Sequence, residues 1–234
     1  MYIQAQRLRR IAAELEGWSS NRDAASALRD IYGIQLVENT DPEYLGILLN
    51  SIKRLPTRLV SDCLISRLGF EDMGESKEYY PNHGKYIDGG TLILNDRLLD
   101  DSSIDICEKG NKLNKFDQTL YHELGHGWDA EQGKSRGLEK DLSLTNEWLD
   151  LSGWSPTPIP GHMRMTIREK GMPELKDDWY YSPEAGFTRF YAKRNPWDDW
   201  ADSFAYYVSD LKSFLPENKI QYFDKELSKY FKEQ

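Results

Sequence analysis

The chain has 234 residues, a length suited to one compact domain or one domain with a small appended lobe. Charged residues make up 29% and hydrophobic ones 39%, the balance of a globular protein and not of a disordered one. A formal charge of −9 without a basic cluster argues against nucleic acid or an anionic membrane as partner, and no run approaches the ~18 apolar residues of a membrane span.

The N-terminal "MYIQAQRLRRIAAELEG" places Ile3, Leu8, Ile11, Ala12 and Leu15 at helical spacing, with Gly17 ending the run. Interrupting charges make it an amphipathic helix and not a signal peptide. The expected location is therefore the cytoplasm, or outside the cell by a dedicated export route. "SSNRDAASALRDIYG" predicts a second helix capped by Ser or Asn and closed by Gly33. "DPEYLGILLNSIKRL" predicts a third, with Asp41 as N-cap and Pro42 at the first helical position.

The pattern changes after Pro56. "CLISRLGF" and "TLILND" are short and β-rich, so they predict strands, with a short pairing strand at Tyr86 and Ile87 between them. "GGTLILND" is expected to be an edge strand over a cleft, open to an extended polypeptide. Two long helices follow, around Leu113–Glu131 and Pro196–Ser209, separated by the aperiodic "LSGWSPTPIPGHMRMTIREKGMP". The elements predict an α+β fold, with a helical lobe over 1–55 and a mixed domain over 56–234. Cys63 and Cys107 lack C-x-x-C spacing, which implies neither a zinc ribbon nor a disulfide framework.

Chemistry concentrates in "TLYHELGHGWDAEQG". Leu113, Phe116, Leu120, Leu124 and Trp128 recur every three or four positions and form the buried stripe of a helix. His122 and His126, four apart, project together from another face and can hold Zn²⁺ through two imidazole nitrogens. Glu123 points near the same ion, placed to take a proton from water. Asp129 lies where it can accept the outward N–H of an imidazole. Gly125 and Gly127 each cost ~1 kcal/mol relative to Ala in a helix, which implies close packing. His83 and His162 read as loop residues.

Three acidic residues downstream are candidates for a third protein ligand. Glu147 in "TNEWLD" lies 25 residues after His122, near the glutamate spacing of thermolysin-like enzymes. Asp198 and Asp202 in "RFYAKRNPWDDWADSFAYYV" lie four apart, off the apolar stripe of Trp197, Trp200, Ala201, Phe204, Val208 and Leu211. Asp198 has a competing role in helix capping, because Asn195 and Pro196 mark the helix start.

"YAKRNPWDDWADSFAYY" resembles the C-terminal motif of the anthrax-lethal-factor-like and Pro-Pro endopeptidase metallopeptidases, and "HELGHGWD" resembles their H-E-x-x-H-A-x-D segment. The likeness covers about a third of the chain. It implies a zincin-like metalloprotease domain with a small mixed sheet and an active-site helix. It further implies that Asp198 is the third zinc ligand, that Tyr191, seven positions earlier, is the catalytic tyrosine, and that Asp202 is the motif's second acid. Both motif glutamates are aspartates here, one methylene shorter.

The expected activity is peptide hydrolysis with zinc as cofactor and a polypeptide as substrate, by a monomer. Glu123 serves as general base and Tyr191 stabilises the oxyanion. Two alternatives accompany it: an inactive zincin-fold binding domain, favoured by the shortened acids, and a toxin or effector protease acting on a host protein.

Overall fold

A computed structural model of the chain describes residues 21–37, 44–73, 83–87, 89–99, 105–106, 113–165 and 178–232. The predicted helix over 1–17 and the Asp41–Pro42 cap lie outside these residues. The fold is α+β, with several helices and small sheets. Helix α1 (Asn21–Tyr32) leads into strand β1 (Gln35–Leu36), followed by α2 (Leu45–Ile52) and α3 (Thr57–Asp62). Strands β2 (Arg67–Glu71), β3 (Gly84–Ile87) and β4 (Thr91–Asn95) complete a four-stranded sheet in the order β1-β2-β4-β3. Among the described residues no helix is long and apolar enough to cross a membrane.

The register of that sheet corrects one expectation. β4 is an interior strand, parallel to β2 and antiparallel to β3, and the edge belongs to β3. Residue burial explains the difference. Leu92, Ile93, Leu94 and Asn95 are all buried, the mark of a strand covered on both faces, whereas β3 alternates between half-buried and exposed residues. Tyr86 and Ile87, expected to pair, do so with Leu92 and Thr91.

A short antiparallel pair, β5 (Asp105–Ile106) and β6 (Leu113–Asn114), leads into α4 (Lys115–Ser135). Asn114 caps this helix by accepting the Asp117 N–H at 2.7 Å. The Asp117 carboxylate in turn takes hydrogen bonds from Asn114 Nδ2, Ser51 Oγ and Arg54 Nη1, anchoring the helix start to α2. Phe116, Leu120, Leu124 and Trp128 are wholly buried, as their spacing predicted, whereas Leu113, expected to open the same stripe, belongs to β6 ahead of the helix.

After α5 (Asn146–Leu151), the Pro/Gly/Trp-rich segment contributes β7 (Trp154–Ser155) and β8 (Met163–Arg164) to a three-stranded sheet with β9 (Tyr180–Tyr181) at its centre. Two-residue strands are too short to show a period, so the sequence predicted no element there. Helix α6 (Pro196–Tyr207) lies against α4, and α7 (Glu217–Phe231) closes the chain. Trp128 of α4 stacks on Trp200 of α6 with ring centroids 5.6 Å apart, and Trp148 and Phe223 meet Trp200 edge-on. Gly125 lets the two helices approach: a Cβ there would sit 3.2 Å from Ala201 Cα. Gly127 does the same on the other side, toward the Cys63 carbonyl. One hydrophobic cluster runs from Ala24 to Tyr230 and draws on residues on both sides of position 55.

Candidate metal centre

Helices α4 and α6 bring three side chains together. His122, His126 and Asp198 each offer a ligand atom, and all three atoms lie within 4.8 Å of one another. The two Nε2 atoms are 3.0 Å apart, and each is 3.6 Å from Asp198 Oδ1. Two imidazole nitrogens and a carboxylate oxygen form a mixed N/O donor set suited to a divalent transition metal.

The other oxygen of Asp198 is held by the helix start. Asn195 caps α6 by accepting the Asp198 N–H at 2.8 Å, and its Nδ2 donates to Asp198 Oδ2 at 2.7 Å. Capping and metal-facing roles, alternatives in the sequence, are compatible in the fold because they use different atoms. Arg194 adds a cation 3.6 Å from Oδ2. Burial alone would raise the pKa of Asp198, but the imidazoles and Arg194 overcome it and hold the carboxyl well below the usual range. Burial likewise would lower that of His122, yet the Asp202 and Asp198 carboxylates raise it to about 10. The cations thus keep Asp198 ionised, and the carboxylates favour positive charge at His122.

Asp202 is fully buried, and its Oδ1 lies 2.8 Å from His122 Nδ1. That contact fixes the ring with Nε2 turned into the cluster. Burial would raise the Asp202 pKa, but Arg189 and His122 lower it. Arg189 was not singled out from the sequence. Its guanidinium donates to both Asp202 oxygens, at 2.7 and 2.6 Å, from the loop ahead of the 3-10 turn Tyr191–Lys193. An isolated arginine thirteen residues from its partner carries no sequence signal.

Glu123 and Tyr191 line the same cleft of about 390 Å³ with His122, His126 and β3. Burial raises the Glu123 pKa against the opposing effect of the two imidazoles, which makes its carboxylate a stronger base. The Tyr191 ring lies edge-on to His122 at 5.7 Å. Burial and the Asp198 charge raise the Tyr191 pKa, so the phenol keeps its proton and remains a donor. Gly84 of β3 passes close over Glu123, where a Cβ would stand 2.9 Å from Glu123 Cγ.

The remaining candidates lie elsewhere. Glu147 is exposed on α5 and pairs with Lys225 at 2.6 Å, away from the grouped ligand atoms. Asp129 borders the cleft, but its carboxylate accepts the Ser143 N–H at 2.8 Å in place of the anticipated imidazole N–H. His83 precedes β3, where its carbonyl accepts the Asn95 N–H, and His162 sits in a turn bonded to Ile159. Neither joins the cluster. Among the described residues Cys63 is a free, buried thiol. Comparison with protein-family models and with curated proteins gives no match.

Proposed function

We propose that this chain is a zinc-dependent endopeptidase with a zincin-like catalytic domain of the lethal-factor-like and Pro-Pro endopeptidase type. The observation that carries this reading is the grouping of His122, His126 and Asp198, with ligand atoms within 4.8 Å of one another, beside a cleft lined by both histidines, Glu123 and Tyr191. His122, His126 and Asp198 would hold the ion. A bound zinc supplies Lewis acidity, polarising a peptide carbonyl and acidifying a nearby water.

Glu123 takes the proton of the attacking water and passes it to the leaving amine, a double duty suited to a buried carboxylate of raised basicity. Tyr191 donates its phenolic hydrogen to the developing oxyanion, an interaction often worth ~3 kcal/mol. β3 is an edge strand among the described residues, and an extended polypeptide passing Glu123 would run along it.

The test is incubation of the zinc-loaded chain with a random peptide library, followed by sequencing of the new termini. Wild-type protein is expected to release termini, and Glu123→Gln to release none while retaining its metal. Equal release by both would remove the proposal.

A further inference from the structure

Among the described residues the buried anion Asp202 has three hydrogen bonds, and two of them come from one residue. Arg189 Nε donates to Oδ2 at 2.7 Å and Nη2 to Oδ1 at 2.6 Å, while His122 Nδ1 shares Oδ1 at 2.8 Å. Such a fork holds both oxygens of a carboxylate in the guanidinium plane, so the carboxylate cannot turn about its own axis. The same guanidinium lies 4.9 Å from the Tyr191 ring centroid, with Arg194 against that ring at 4.6 Å.

We propose that Arg189 is a positioning residue for the metal centre: by clamping Asp202 it fixes the orientation of His122 and so sets metal affinity. This inference rests on the metal site proposed above. Without Arg189, Asp202 would be a fully buried carboxylate bonded to an imidazole alone, a costly state that is relieved by turning or by admitting water. Either response frees the His122 ring. Loss of a partner in this position typically weakens metal binding 10–100-fold. Lysine can restore the charge and one bond but not the fork. Arg194 lies against the Tyr191 ring as well, so that ring keeps a neighbouring guanidinium when Arg189 is replaced.

The experiment uses the full chain, stripped with a chelator and titrated with zinc in competition, and with cobalt(II) for its visible spectrum. Arg189→Met is expected to weaken zinc 10–100-fold and to shift the cobalt bands, with Arg189→Lys intermediate. Because Arg189 acts through Asp202, the Arg189→Met/Asp202→Asn pair should bind zinc no worse than Asp202→Asn alone. That neutral pair and Arg189→Lys carry the test if Arg189→Met does not fold. Folded Arg189 variants with wild-type zinc affinity and cobalt spectrum would overturn the inference. So would losses that add fully in the double variant, or a loss of turnover alone, which would assign Arg189 to Tyr191. A wild-type chain that binds neither metal removes the proposed site itself, and this inference with it.

Discussion

Asn195 and Asp198 hold each other by two hydrogen bonds across the first turn of α6, backbone to side chain at 2.8 Å and side chain to side chain at 2.7 Å. The pair leaves Asp198 Oδ1 facing both imidazoles. Asn195→Ala therefore removes a cap and unlocks the proposed ligand Asp198 at once. It is expected to cost about 1 kcal/mol in denaturant unfolding and to weaken zinc roughly tenfold. Asp198→Ala should abolish tight zinc binding altogether. Asp198→Glu adds a methylene to a buried, already close carboxylate, so metal affinity should fall. Glu147→Ala breaks only an exposed pair with Lys225 and should spare zinc. Higher zinc affinity in Asp198→Glu would mean that the site is too wide for aspartate.

At Gly84 strand β3 leaves no room for a side chain beside Glu123. A Cβ at this position would also meet Glu123 Oε1 at 3.0 Å and Thr119 Cγ2 at 3.1 Å. Gly84→Ala must push either the strand or the carboxylate aside. Misplacement of a reacting group by about an ångström can cost on the order of 10²-fold in rate. We expect a fall of that order in kcat with zinc content unchanged, because the proposed ligands lie on α4 and α6. A variant with normal turnover would show that Glu123 has room to adapt.

Lys219 and Asp199 form a wholly buried ion pair at 2.5 Å that joins α7 to α6. Trp154 Nε1 also donates to Asp199, which ties in the small sheet, and the Lys219 ammonium lies 5.2 Å from the Trp148 and Phe187 ring centroids. Lys219→Ala leaves an uncompensated buried carboxylate and should destabilise the chain by about 3–5 kcal/mol. The neutral combination Lys219→Met/Asp199→Asn keeps an acceptor for Trp154 and should recover most of that loss. Chemical denaturation of the three proteins measures both. A double variant as weak as the single one would place the loss in packing and not in charge.

What the sequence revealed follows from which interactions are local. The stripe of Phe116, Leu120, Leu124 and Trp128 and the i, i+4 pairing of His122 with His126 are properties of one helix, so spacing suffices to read them. The cap at Asn195 is local for the same reason. Pairing across the chain left weaker traces. Nothing in the spacing distinguished β3 from β4 as the edge, because that depends on what covers each face. Asp198 and Glu147 stayed open as ligands on residue grounds, and only the approach of α6 to α4 separates them. Arg189 meets Asp202 through a loop of irregular backbone, where no period exists. The three-stranded sheet of β7, β8 and β9 hid in a segment whose strands are two residues long.

Asp129 offers a pH test independent of turnover. Burial pushes its pKa up to about 7, against the relief supplied by Ser143, whose N–H it accepts at 2.8 Å. A raised carboxylate pKa means that the folded state binds this proton more tightly than the unfolded chain. At low pH, below the ordinary carboxylate value near 3.8, both states are protonated and the group contributes nothing. As pH rises toward about 7 the unfolded chain ionises first, and the folded state loses relative stability until both are ionised. Asp129→Asn keeps an acceptor for Ser143 and cannot ionise. The variant should therefore match wild type at low pH and become more stable as pH rises, with the gap level above about 7 and on the order of 2–4 kcal/mol. Denaturant unfolding at a series of pH values, with chelator present so that no cation near His126 lowers the pKa, measures this gap. A gap that stays constant with pH would show that Asp129 ionises in the folded chain as it does in water.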